Sequence, residues 1–273
     1  MTAASEARMT AQRAKQSRSL ETLTRVGFVG FGVTHLLVAW LAMQIAFGRA
    51  PANSDQYGAF ELVARQPFGK VLLVVVAVGI AAMAVWQALE AAVGHQRDRG
   101  KERAAERVAS AGRMVFYVFL GYTAAKVIAG SGKTSKGQQQ EATSSILDEP
   151  GGRWLIGLIG VAVIAVSAGL IWFGLVKRFE KHLKTSQMPP TTRRAVRWLG
   201  VFGYVAKGAA YGTLGVLLVN AAVTYDPGKS RGIDAALRTL AEQPWGDILL
   251  LVVAAGIAAY GVFALAQARF RDV

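Results

Sequence analysis

Six stretches of this chain are apolar over more than twenty residues, at roughly 23–47, 69–93, 108–130, 153–176, 197–223 and 246–267, with polar segments between them. A water-soluble core needs no run of that length, whereas about 20 residues at 1.5 Å per residue match a hydrocarbon layer about 30 Å thick. No water is available there to satisfy backbone N–H and C=O groups, so each stretch is expected to be an α-helix.

The pattern repeats. "ARQPFGKVLLVVVAVGIAAM" (64 to 83) returns as "AEQPWGDILLLVVAAGIAAY" (241 to 260), and a weaker copy, "DEPGGRWLIGLIGVAVIAV", lies between them (148 to 166). Each copy follows an apolar stretch rich in glycine and aromatics, so the unit is a pair of hydrophobic helices. The predicted fold is an all-α membrane protein of six transmembrane helices, built as three tandem helix-hairpin repeats with pseudo-three-fold symmetry. The boundaries are a polar basic tail at 1–19 and repeats at 20–95, 107–183 and 195–270.

Within the polar segments, "YGAFELVARQPFG" and "GIDAALRTLAEQPWG" space apolar residues three and four apart before a proline, which predicts short amphipathic helices on the membrane surface. Pro67, Pro150 and Pro244 then fall at the mouths of the even-numbered helices, where a missing N–H costs nothing. Phe68, Trp154 and Trp245 sit beside them as interfacial anchors. Gly27, Gly30 and Gly32, matched by Gly203, Gly208, Gly212 and Gly215, read as small-residue packing faces rather than hinges.

Charge supplies orientation. Hydrophobic residues make up 53% of the chain and mean hydropathy is +0.33, yet the formal net charge is +14. Lys and Arg concentrate in the tail (Arg8, Arg13, Lys15, Arg18, Arg25), in the second connection (Arg97 to Arg107) and in the fourth (Lys177 to Arg197). The other connections carry two or three each, offset by acids such as Asp55, Glu141, Asp226 and Asp234. The positive-inside rule places both termini on the cytoplasmic side of a plasma membrane. Topology thus explains the positive charge without nucleic acid, and anionic lipid at the cytoplasmic loops is the expected partner. The first span is too long for a signal-peptide core and has counterparts inside the chain, so it is expected to be retained. Cysteine is absent, which excludes disulfides, thiol catalysis and thiolate metal sites.

The Gly–aromatic starts of the odd helices, the "QPFG" and "QPWG" turns and the "GIAAM" and "GIAAY" cores resemble a bacterial membrane-protein family defined by three tandem copies of a two-helix domain of unknown function. The resemblance covers nearly the whole chain outside the tail. The middle copy departs, with "EPGG" for the turn and no "GIAA". The resemblance implies architecture and no activity.

Aligning the repeats superposes Phe31 with Arg113 and Lys207, and, one turn on, His35 with Tyr117 and Tyr211. Intramembrane ionisable residues are costly and raise a functional question. If the repeats surround one axis, Arg113, Lys207, His35, Tyr117 and Tyr211 form a candidate site for an anionic solute or lipid headgroup. Against this, long cations near a helix end snorkel to phosphates, although only 16 apolar residues follow Arg113 and Lys207 before the next loop. A further polar level, Gln44, Lys126 and Asn220, is better suited to interhelical hydrogen bonds or snorkelling. His95 and His182 belong to loops and are expected to be solvated.

"GSGKTSKG" (130 to 137) imitates a phosphate loop but has Val127 where the motif needs glycine, and no strand precedes it. No metal, cofactor or catalytic motif is present, so no cofactor and no enzymatic activity are expected. The three-pair organisation parallels mitochondrial solute carriers, whose Pro-x-acid-x-x-base signature is missing here. The expected role is a non-catalytic membrane scaffold or accessory subunit with a membrane-protein partner. The alternative is a small permease or channel for an anionic ligand.

Overall fold

A computed structural model describes residues 18–48, 55–95, 100–130, 143–226 and 232–271. Most of the tail, and the "GSGKTSKG" segment beyond Gly130, lie outside the described residues. The helices are α1 (Arg18–Ala46), α2 (Gln56–Ala64), α3 (Gly69–Val93), α4 (Gly100–Ile128), α5 (Gly152–Leu175), α6 (Pro190–Thr224), α7 (Gly232–Ala241) and α8 (Gly246–Phe270). A short helical turn occupies 143–147, and 3₁₀ turns span Arg178–His182 and Thr185–Gln187. Six helices, α1, α3, α4, α5, α6 and α8, are long and apolar enough to cross a membrane. With the three repeats this is a multi-pass membrane protein. Helices α1, α4 and α6 begin five to eight residues before the apolar stretches do. Their basic first turns continue the helix into water, where exposed charges cost nothing.

The packing order explains the three-fold plan. The even helix of each repeat lies along the odd helix of the next: α3 on α4, α5 on α6, and α8 back on α1. Close backbone approach makes the α8–α1 and α5–α6 contacts. A Cβ on Gly32 would meet the Gly261 carbonyl oxygen at 2.8 Å, and one on Gly160 would meet the Gly215 oxygen at 3.0 Å. Ser167 Oγ donates to the Gly208 carbonyl across α5 and α6 at 2.6 Å. The glycines are packing surface, as the sequence suggests. Arg25 ties the closure, its Nη1 donating to the carbonyls of Ala268 (2.6 Å) and Arg269 (2.9 Å) at the end of α8. The elements holding both chain termini therefore share one end of the bundle.

Contacts within a repeat behave differently. In repeat 1, α1 packs on α3 through Gly27 and Gly79, and in repeat 3, α6 packs on α8 through Gly203, Ala206, Gly256 and Tyr260. The corresponding α4–α5 contact in repeat 2 is at most marginal among the described residues. Alignment gives the reason: Gly27 and Gly203 correspond to Ala109, and Gly79 and Gly256 to Ala162. A Cβ on Gly79 would lie 2.6 Å from the Gly27 nitrogen, so two methyl groups cannot enter that crossing. Ala109 and Ala162 are both exposed. The six helices form a ring interrupted by one seam, between α4 and α5.

The short helices before α3 and α8 correct an expectation. Their apolar faces are turned onto the bundle, where lipid was expected. Tyr57, Ala59 and Phe60 of α2, and Ala236 and Leu237 of α7, are buried, and the two helices plug the end of the bundle opposite the termini. Asp55 caps α2, accepting from the Gly58 N–H at 2.9 Å. The prolines stand two places before the first helical residue, not at it. Phe68, Gly151 and Trp245 form left-handed N-caps (φ 59°, 82° and 61°), and the helices start at Gly69, Gly152 and Gly246. Each of these glycine N–H groups donates back to Gln66, Glu149 or Gln243 at 2.8, 2.9 and 2.7 Å. A side chain there would collide with the carbonyl of Val63, Ile146 or Ala241, which is why all three turns keep glycine.

Candidate functional site

Two groups of cations enter the ring. Lys207 projects from α6 into a box of aromatic faces, its Nζ 4.2 Å from the Tyr260 ring centre, 5.0 Å from Phe31, 5.5 Å from Phe116 and 5.7 Å from Tyr211. These faces come from α8, α1, α4 and α6, so the ammonium sits where four helices meet. Such contacts are worth about 2 kcal/mol each when desolvated, which accounts for a lysine held inside the bundle. His35 is buried alongside, its Nδ1–H donating to the Phe31 carbonyl at 2.8 Å and its ring 4.9 Å from that of Tyr260. Tyr117 packs edge-on against Phe31 at 5.5 Å.

Arg113 leaves this group. Its Nη2 donates to Ser110 Oγ at 3.0 Å, and Ser110 also receives His95 Nε2 at 2.9 Å. The candidate residues therefore divide: Lys207, His35, Tyr117 and Tyr211 converge, while Arg113 turns toward the end of the ring that holds the termini. There it joins Arg271, just past α8. Arg271 is 8% exposed and stacks over Trp86 (4.9 Å) and Phe28 (5.2 Å). Burial, and then the Arg113 charge, pull Arg271 below its ordinary pKa. An antiparallel bridge from Leu183 to Arg271, with Lys184 N–H donating to Phe270 O at 2.8 Å, brings the 178–182 turn against it.

That turn corrects the reading of the loop histidines. His182 stacks on Phe173 (21° between rings), and burial followed by the Arg271 charge holds its pKa at about 2, so the imidazole is neutral. His95 is partly buried between Ser110 and Glu90 rather than solvated. Neither lies in open water, because the connections fold back over the helix ends. The carboxylates nearby are engaged: Glu106 with Lys181 at 2.5 Å, and Glu180 with Arg197 at 2.6 Å. Beside them Lys177, Arg193, Arg194 and Trp198 line a surface pocket of about 640 Å³.

The outer polar level does not assemble. Lys126 lies over Tyr122 at 5.3 Å, and Asn220 is exposed. Sequence reasoning missed Tyr260, Phe116, Arg271 and His182 as members of the interior. Only Tyr260 had a signal, the "GIAAY" that replaces "GIAAM".

The sequence matches the family described as Domain of Unknown Function (DUF1206) three times, over residues 26–94, 108–177 and 202–271. The chain belongs to the DUF1206 family. The Uncharacterized protein YxxB of Bacillus subtilis (strain 168) is 29% identical over 253 residues, covering 91% of this chain and 90% of its own. No solved structure matches. No group of three or more His, Cys, Asp or Glu able to hold a metal occurs among the described residues.

Proposed function

We propose that this DUF1206 protein is a non-catalytic membrane protein that takes an anionic lipid from the bilayer into its helix ring. The reading rests on one observation: a ring lined by cations is interrupted on one side, between α4 and α5. In a bilayer, that seam is filled by acyl chains. Lys207 and Phe116 meet across the interior behind it, and Lys207 supplies the charge that an anionic headgroup would seek. The end holding the termini is taken as cytoplasmic, from the distribution of basic residues, and the Lys177–Trp198 pocket suits the same lipid class at that surface. Reporter fusions at both ends check the orientation.

The test is lipid retention. Protein extracted from its own membrane and released from detergent in a mass spectrometer is expected to carry anionic lipid above its bulk share, and Lys207→Met to lose that excess. A lipid complement equal to the bulk membrane in folded wild type overturns the reading. The second reading, an accessory subunit, draws on the width of the exposed α5 face, with Trp154, Leu158, Val161 and Trp172. It requires a constant partner protein on copurification, released when that face is altered.

A further inference from the structure

The plan of the ring leaves one buried spot electrically and chemically unfinished. At the end holding the termini, four side chains from four elements carry N–H donors that are buried without a hydrogen-bond acceptor among the described residues: Arg271 Nε, Arg113 Nε, Trp86 Nε1 and His182 Nε2 in its N–H tautomer. Arg271 and Trp86 are 8% and 2% exposed, and the two groups stack at 4.9 Å. A guanidinium offers five donors, and stacking on rings satisfies its charge only in part while leaving the buried Nε–H without an acceptor. The neighbours add positive charge rather than cancel it, because Arg113 lies close enough to act on both Arg271 and His182. The nearest carboxylates bond other cations: Glu106 binds Lys181 and reaches Arg113 only through space, and Glu90 faces His95 at 3.7 Å.

The buried guanidinium of Arg271, beside the half-buried Arg113 and with no carboxylate paired to it among the described residues, is an arrangement that a folded chain does not keep for stability. It fits an oxyanion with several acceptor oxygens at fixed angles, since the guanidinium fork pairs bidentately with phosphate and the indole and imidazole supply single donors. We propose that Arg271, Arg113, Trp86 and His182 form a binding site for a phosphate-class oxyanion, enclosed between α3, α4, the end of α8 and the 178–182 turn. Inorganic phosphate and the phosphate of a lipid headgroup share this chemistry. The site adjoins the Lys207 box, whose Tyr117 and Tyr260 lie within electrostatic reach of Arg271, but its donors do not include Lys207 and it does not depend on lipid entering the seam.

The full-length protein in neutral detergent is titrated with sodium phosphate at constant ionic strength, and binding is read by calorimetry and by the shift in thermal unfolding. In a parallel arm, protein in phosphatidylcholine nanodiscs is compared with protein in nanodiscs containing phosphatidic acid. Saturable stabilisation by phosphate, by phosphatidic acid or by both is the expected result, and the arm that responds names the source. Arg271→Gln is expected to weaken binding at least tenfold, and Trp86→Phe, which keeps an aromatic face but removes the N–H with part of the indole, a few-fold. Arg269→Gln, at an exposed arginine over Phe270, leaves binding unchanged. Lys207→Met also leaves it unchanged, so loss of lipid retention in that variant with phosphate binding intact separates the two proposals. Absence of a saturable response to either ligand in folded wild type overturns the site. So does an equal response to chloride, or undiminished binding in both Arg271→Gln and Trp86→Phe.

Discussion

Repeats 1 and 3 hold their helices together through glycine crossings, and repeat 2 does not. The three copies share length, hydropathy and the glycine turn at Gly69, Gly152 and Gly246. They differ by two methyl groups where the hairpin's own helices would cross, at Ala109 and Ala162. The contrast teaches that the hairpin is not the packing unit of this fold. Contacts between successive repeats are kept in all three cases, and contacts within a repeat survive only where glycine permits them. Half of the most apolar window of α8 is buried within the chain, against 17% for α5, so lipid solvates what its counterpart gives to neighbours.

The harshest way to break this comparison is Gly32→Leu, which forces a side chain between α1 and α8. It is expected to cost about 3 kcal/mol or more and to deplete folded protein, while Gly169→Leu, in open space on α5, is tolerated. Thermal unfolding in detergent reads both. Next in size, Gly27→Ala with Gly79→Ala is expected to cost about 2 kcal/mol and to part α1 from α3, imitating repeat 2. The converse pair, Ala109→Gly with Ala162→Gly, should draw α4 and α5 together. Spin labels at the exposed Val118 and Val161 would report a shorter, narrower distance distribution, and no change would remove the methyl explanation.

A pH experiment probes the turn that repeat 2 contributes. The folded pKa of His182, about 2, lies below its ordinary 6.5, so the unfolded chain takes up the proton first as pH falls. The stability of the neutral ring is complete above 6.5 and is lost as pH drops from there toward 2. Between pH 7.5 and 5.5 the loss is about 1 kcal/mol. His182→Phe, which keeps the stack on Phe173, should flatten that slope in denaturation measured across the range. Smallest of all, Gly151→Ala is expected to cost about 1 kcal/mol at its left-handed φ of 82°. Phe68 and Trp245 bear the same conformation already, so Phe68→Ala should change little by comparison.

Much of this architecture is legible in the chain because bilayer and backbone impose it. Runs of apolar residues give the spans, and "QPFG" and "QPWG" give the turns. The divergence of the middle copy was visible as the missing "GIAA", though its meaning was not, since only the structure shows that Gly79 meets Gly27. The placement of α2 and α7 was misread because an amphipathic period fits a lipid surface and a helix bundle equally well. At the candidate site, repeat alignment put Lys207 on the same helical face as His35, Tyr117 and Tyr211, one turn away. It could not separate Arg113 from them, because a long side chain chooses its direction by what surrounds it. Arg271 and His182 had no signal: their burial comes from a backbone bridge between segments nearly ninety residues apart.

The seat of Arg25 on the last carbonyls of α8 has a consequence for biosynthesis. The first helix leaves the ribosome some two hundred residues before the one that completes its glycine groove, so that groove faces lipid or the insertion machinery throughout translation. Truncated chains lacking α8 would accumulate with the groove uncovered, and the full-length chain alone would shed whatever guarded it.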